Sequence, residues 1–173
     1  RSWGLDPARI VTLENGQEDA TTLPPRPLEP GTGRARFGFF GQVSAFKGID
    51  VLLKALALLP KGNPARIQVD INCAHLEQQT PELQEHLKEL AEPLIRQGVL
   101  HWAGAYAPGE QASRMAGVDW VVVPSIWWEN SPMIIQEAFV FGRPVICSDI
   151  GGMAEKVRDG VDGLHFQIGR AHV

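Results

Sequence analysis

Short apolar runs alternate with longer amphipathic stretches along most of the chain. Residues 37–41, 99–103, Trp120–Val123, 144–147 and Gly163–Phe166 are too short for buried helices, and 66–72 alternates apolar with polar. Together they predict six strands. Between them the spacing turns helical. Ile49, Leu52, Leu53, Leu56 and Leu59 form one apolar stripe, and Leu83, Leu87, Leu90 and Leu94 a second, opened by Thr80-Pro81, carrying a kinking Pro93 and closed by Gly98. A short helix is predicted over 110–116, another after Ser131-Pro132 with Ile134, Ile135, Ala138 and Phe139 turned inward, and a last one over 153–158. Strand–helix alternation of this kind predicts an α/β Rossmann-like domain: a six-stranded parallel sheet with helices on both faces and its ligands at the carboxyl ends of the strands. Upstream, 10–13 reads as one further strand closed by Asn15-Gly16, and 21–33, with four prolines, reads as an extended connector. The division falls at residue 35, with a nucleotide-binding domain over 36–173.

The most informative junction is the one after Trp120–Val123. Pro124 ends the strand, and Ser131 and Pro132 stand where an N-cap and a first helical residue are expected. The amides of Met133 and Ile134 then have no acceptor in the helix and offer donors to an anion at the strand end. Glu129 precedes the helix, and Glu137 lies one turn after Met133 on the same side. Two readings of Glu137 stay open from the residues alone: a member of a pocket, or a solvated side chain in an exposed stripe with Gln136. A second junction follows 37–41. Gly41 and Gln42 lead through a loop to Lys47-Gly48 and a helix, the layout of a phosphate site, although neither a Walker loop nor a Gly-x-Gly-x-x-Gly motif is present. The loop after 99–103 carries Tyr106, which either stacks on a base or packs on the next helix, the commoner fate. Trp127 and Trp128 could stack on a sugar or cover a partner domain, with at least one expected to pack beneath its own loop.

Composition narrows the classes. Of 173 residues, 44% are hydrophobic, enough for a full core in one domain. The formal net charge is −4 with no Lys/Arg run, which argues against a nucleic-acid partner. No apolar stretch is long enough to span a bilayer and no signal-peptide pattern opens the chain. Cys73 and Cys147 stand singly near predicted strand ends and read as reduced, buried residues of a cytoplasmic protein. The five histidines show no metal-ligand spacing and no Asp-x-Asp triplet occurs, so no metal site is expected. The chain starts without Met and reads as part of a longer polypeptide.

Glu129 and Glu137, preceded by Pro124-Ser125 and followed by Phe141-Gly142-Arg143-Pro144-Val145-Ile146, resemble the donor-binding signature of the retaining GT-B glycosyltransferases of the "glycosyl transferases group 1" type. The resemblance runs from about Ile10 to Phe166 and implies the C-terminal, donor-binding half of such an enzyme. It implies that Lys47 binds the donor diphosphate, that Glu137 binds the ribose, and that Glu129 orients the sugar as the catalytic residue. Gly41, Gln42, Tyr106, Ser131, Met133 and Ile134 complete the expected donor site. The family commonly has Arg where this chain has Gln42, which removes one bidentate cation. The substrate implied is a nucleoside diphosphate sugar, with no cofactor and no metal. The acceptor would be bound mainly by an N-terminal domain, and peripheral membrane association of the full protein stays open. A sugar-nucleotide epimerase of the same architecture and a non-catalytic nucleotide-binding module are the alternatives.

Overall fold

The computed structural model describes residues 4, 6–11, 13, 15, 16, 21–28, 30, 33–60 and 67–169. Six strands form one sheet: β1 (Arg36–Gln42), β2 (Gln68–Ala74), β3 (Leu100–Trp102), β4 (Trp120–Val123), β5 (Val145–Ser148) and β6 (Gly163–Phe166). Their order is β3-β2-β1-β4-β5-β6 with every pairing parallel. Strand order therefore reverses between β1 and β4, and a crevice opens at their carboxyl ends. The strand predicted over 10–13 does not form: Ile10, Val11 and Leu13 are exposed and lie outside any strand, and Thr12 is outside the described residues, as is Arg66.

Alternation along the strands feeds two cores. Phe39 of β1, Val69, Ile71 and Cys73 of β2 and Val122 of β4 pack beneath α1 (Ile49–Ala57) and α2 (Pro81–Arg96). Phe40, Val121, Val123 and Val145 point the other way, toward α3 (Gln111–Ala116), α4 (Met133–Val140) and α5 (Gly151–Lys156). Helix α2 starts as expected, with Thr80 Oγ1 accepting from the Leu83 N–H. It carries on past Pro93 and ends where Gly98, at φ 70°, lets Val99 N–H reach the Leu94 carbonyl. Cys73 and Cys147 are buried free thiols whose pKa burial pushes up to about 12.

At the amino ends of the strands the connector is docked. Asp119, just before β4, accepts from Arg26 (3.0 Å), Arg34 (3.1 Å) and the Arg36 N–H (3.1 Å). Buried Arg143, just before β5, donates to the carbonyls of Met115 (2.9 Å) and Pro24 (2.8 Å). Burial alone would raise the pKa of Asp119, but the hydrogen bonds from Arg26, the Arg36 amide and Arg34 outweigh it and hold the carboxyl below its ordinary value.

A depressed folded pKa means that ionised Asp119 stabilises the fold at neutral pH, and that this contribution disappears as pH falls through the folded value, below the unfolded value of about 3.9. Asp119→Asn should cost about 1–3 kcal/mol at neutral pH, the scale of a charge-assisted hydrogen bond. Urea midpoints across the acid range should show the wild-type advantage shrinking toward low pH. A constant difference would mean that charge is not what Asp119 contributes.

Candidate donor-binding site

The loop between β1 and α1 is pinned to the loop after β4. Gly48 caps α1 at φ 68°, and a Cβ there would sit 1.9 Å from the Pro124 carbonyl oxygen. Only glycine fits both the left-handed backbone and the contact. Next to it, Ile126 N–H donates to the Phe46 carbonyl at 2.9 Å. These contacts bring together residues far apart in sequence. Lys47 Nζ meets Glu129 Oε1 at 2.6 Å, and buried Ser125 donates its hydroxyl to the same oxygen at 2.9 Å. Among the described residues Glu129 Oε2 accepts nothing. The Glu129 backbone is fixed too: its N–H donates to the Trp127 carbonyl (2.9 Å), and its carbonyl accepts from Gly152 (2.6 Å), whose Cα lies so near Asn130 that a Cβ would stand 2.2 Å from the Asn130 oxygen.

A cleft of about 320 Å³ opens over the carboxyl ends of β1 and β2, lined by Gly41, Gln42, Ala74, His75, Tyr106, Pro108, Gln111 and Glu137; neither Lys47 nor Glu129 is among its lining residues. Glu137 is half-buried and faces the cleft, which settles the open reading against an exposed stripe. Its Oε2 accepts from Gln111 Nε2 at 2.7 Å, and no described residue donates to its Oε1. Tyr106 lines the same cleft, with its ring edge-on to Phe40 (centroids 5.9 Å) and the Arg114 guanidinium of α3 6.0 Å from the ring centre. The expected packing on the next helix therefore holds. Burial, then the charge of Glu137, push its phenol above its ordinary pKa, so it stays a hydroxyl at neutral pH.

Helix α4 joins the two halves. It begins at Met133, one residue later than expected: Pro132 is the cap, with extended ψ 107°, and no side chain caps the helix. Ser131 is thus not the N-cap; its hydroxyl accepts from Asn15 at 3.2 Å. The Met133 and Ile134 amides have no acceptor among the described residues, while Ile135 N–H returns to the Pro132 carbonyl. Helix α5 begins with Gly151 and Gly152, although its start was expected at residue 153. The tryptophans also depart from expectation: Trp127 is 57% and Trp128 69% exposed, so neither packs beneath the loop. His75, with its unusual φ of 68°, and Gln111 were missed. His75 follows a strand end and Gln111 opens a helix after one, a positional signal shared by many solvated residues. Gln42 lines the cleft, and no group of three or more His, Cys, Asp or Glu side chains among the described residues is placed to hold a metal ion.

Residues 25–172 match the family described as "Glycosyl transferases group 1". The chain belongs to that family. It is 32% identical over 177 residues to a D-inositol 3-phosphate glycosyltransferase of Rhodococcus erythropolis, covering 95% of this chain and 38% of that protein. It thus spans well under half the length of that relative. Among solved structures, the lipopolysaccharide outer core galactosyltransferase WaaB shares the fold at TM-score 0.74 and 21% identity, covering 96% of this chain and 44% of that one. Anabaena Alr3699/HepE, solved in complex with UDP-glucose, gives TM-score 0.61 at 28% identity over 79% of this chain and 35% of its own. This group 1 glycosyltransferase chain thus has the parallel Rossmann-like sheet of GT-B enzymes, and no described helix is long and apolar enough to cross a membrane.

The pinned loops give a direct test. Gly48→Ala meets both a left-handed backbone and a carbonyl in the way, and should cost about 2 kcal/mol or more in urea unfolding. Gly109→Ala, with nothing within 4 Å, should be close to neutral. Equal midpoints for the two variants would show that the loops do not depend on this contact.

Proposed function

We propose that this chain is the nucleotide-sugar-binding half of a retaining glycosyltransferase, which moves a sugar from a nucleoside diphosphate to an acceptor. One observation carries the reading. Among the described residues Glu129 and Glu137 each have one oxygen anchored and the other without a donor, and the Met133 and Ile134 amides, which have no acceptor there, stand between them in the chain. In this reading the cleft takes the nucleoside, Glu137 Oε1 accepts from the ribose hydroxyls, and Tyr106, Gly41 and Gln42 border the base and ribose. The diphosphate meets the α4 amides and Lys47. Glu129 Oε2 faces the sugar, orients it and supports its cationic character as the bond to the leaving diphosphate breaks. Charge on that leaving group is met by fixed donors, which supports a metal-independent reaction with no cofactor. The UDP-glucose complex of HepE supports a nucleotide sugar as ligand.

Lys47 is already engaged by Glu129, which neutralises its charge. A donor diphosphate must take Lys47 away from Glu129 or share it, so the two variants should move affinity in opposite directions. Lys47→Ala should weaken UDP much more than uridine. Glu129→Gln should tighten UDP about 3–10-fold, the ~1 kcal/mol scale of a partly exposed pair, while any transfer by a longer protein containing this domain is lost. Titration calorimetry with UDP and uridine reads both, and equal losses for the two ligands in Lys47→Ala reject the diphosphate assignment.

The ribose contact is tested separately. Glu137→Gln should cost about 1–3 kcal/mol with UDP and distinctly less with 2′-deoxy-UDP. Identical sensitivity would remove Glu137 from the ribose. Because the chain spans 38% of the R. erythropolis relative, the acceptor in this reading is held mainly by the remainder, and the chain alone binds nucleotide without transferring sugar. Incubation of a longer protein containing this domain with nucleotide sugars and acceptors distinguishes transfer from the two alternatives, epimerisation and binding without chemistry.

A further inference from the structure

The two pinned loops repeat one arrangement, an aromatic residue immediately before a charged one: Phe46 before Lys47, and Trp127-Trp128 before Glu129. The charges join at 2.6 Å, and the rings of Phe46 and Trp127 meet at 5.2 Å between centroids, tilted 55°. Ring pair and ion pair are therefore built side by side from the same two segments. Yet the rings are not covered. Phe46 is 56% and Trp127 57% exposed, and Trp128, next in the chain, 69%; an exposed ring pair with a further exposed indole beside it in sequence marks a contact surface.

We propose that Phe46, Trp127 and Trp128 form a platform for a neutral pyranose of the acceptor, beside the donor sugar; this rests on the assignment of Glu129 to the sugar. A pyranose is amphiphilic. Its C–H face needs an apolar plane, which indole and phenyl rings supply, and its hydroxyl rim needs acceptors and donors at the edge of that plane. Trp127 lies two residues and Trp128 one residue from Glu129, which at up to ~3.5 Å per residue places the ring-bearing backbone within about 7 Å of the carboxylate's own, the span of a single sugar ring.

Two features select this occupant. Docked protein surfaces keep charge away from the centre of their apolar contact, whereas here the ring-bearing residues directly precede both members of an ion pair in the chain. A protein covering it would bury Glu129 Oε2 without a donor, a cost of about 1–3 kcal/mol or more, which a hydroxylated ligand avoids. Lys47, the cation of these two loops, is held by Glu129 or, in the proposed donor complex, by the diphosphate, so the platform favours a neutral sugar over a phosphorylated one.

The test is saturation-transfer NMR and titration of the chain, with and without UDP, using methyl β-D-glucopyranoside, methyl β-D-galactopyranoside and methyl α-D-mannopyranoside. At least one should bind with a millimolar Kd and receive saturation mainly on the C–H protons of one ring face. Trp127→Leu and Trp128→Leu keep apolar bulk but lose the ring face. Each should weaken that binding about fivefold, the scale of one aromatic contact, without lowering the melting temperature or the UDP affinity. Failure of all three pyranosides to bind, or binding that both variants leave intact, overturns the platform. So does tighter binding of myo-inositol 1-phosphate that depends on the same two rings. Failure of UDP to bind counts against the donor reading instead, and the ring dependence in the unloaded chain still decides the platform.

Discussion

The candidate site depends on the contact between the Gly48 backbone and the Pro124 carbonyl. The β1–α1 and β4–α4 loops leave neighbouring strands at the point where strand order reverses, and nothing in sheet pairing alone would hold them together beyond the strand ends. A glycine in the left-handed conformation allows the backbones to touch, and the Ile126–Phe46 hydrogen bond closes the gap beside it. Once the backbones are fixed, Lys47 and Glu129 are within reach of each other with little freedom left to lose. An ion pair that is partly exposed contributes little to stability by itself. Its value here is positional: it fixes one carboxylate oxygen and turns the other outward.

The opposite end of the sheet is fastened by different means. Asp119 gathers two guanidiniums and a backbone amide, and Arg143 reaches the connector's Pro24 carbonyl. The connector is therefore part of the domain's base, held by charge-assisted bonds to the residues that precede β4 and β5. Asn15 meets Ser131 at the carboxyl-end rim, so the first part of the chain touches both ends of the sheet. With the base and the rim loops both fastened, the cleft over β1 and β2, with Glu137 of α4 on its wall, lies between two fixed ends of the sheet.

Much of this was legible in the sequence because buried parallel strands and amphipathic helices write their periods directly. All six core strands were foreseen, two of them, Trp120–Val123 and Gly163–Phe166, to the residue. β2 was displaced by two residues because Asn72 looks like a strand end; it is buried inside the strand, where Arg114 donates to it at 2.9 Å. Ser131-Pro132 looked like a cap and first helical residue, but Pro132 keeps an extended ψ and passes the start to Met133. The α5 start was missed because two glycines are poor helix formers, and they are there for the close approach to Glu129 and Asn130. The tryptophans were misplaced by the general tendency of indoles to be covered, which a loop pinned at its backbone can override. Pairings such as Lys47–Glu129 and Gln111–Glu137 join residues 82 and 26 positions apart and have no local signal at all.

Gln42, where the resemblance implies an Arg, takes on a physical meaning once the pairs are known. With a second cation at the end of β1, Lys47 could stay with Glu129 while the other met the diphosphate. With Gln42, the charge nearest the proposed phosphate position is one that a carboxylate already holds, and the remaining donors are the neutral amides of α4. In the proposed donor complex Lys47 is released or shared, and its release takes the cation off Glu129 Oε1, which keeps the Ser125 hydroxyl, while Oε2 stays open as before. In this proposal diphosphate and sugar recognition are coupled through the Lys47 ammonium, so a nucleotide lacking its sugar gains less from the exchange than one that presents hydroxyls to Glu129.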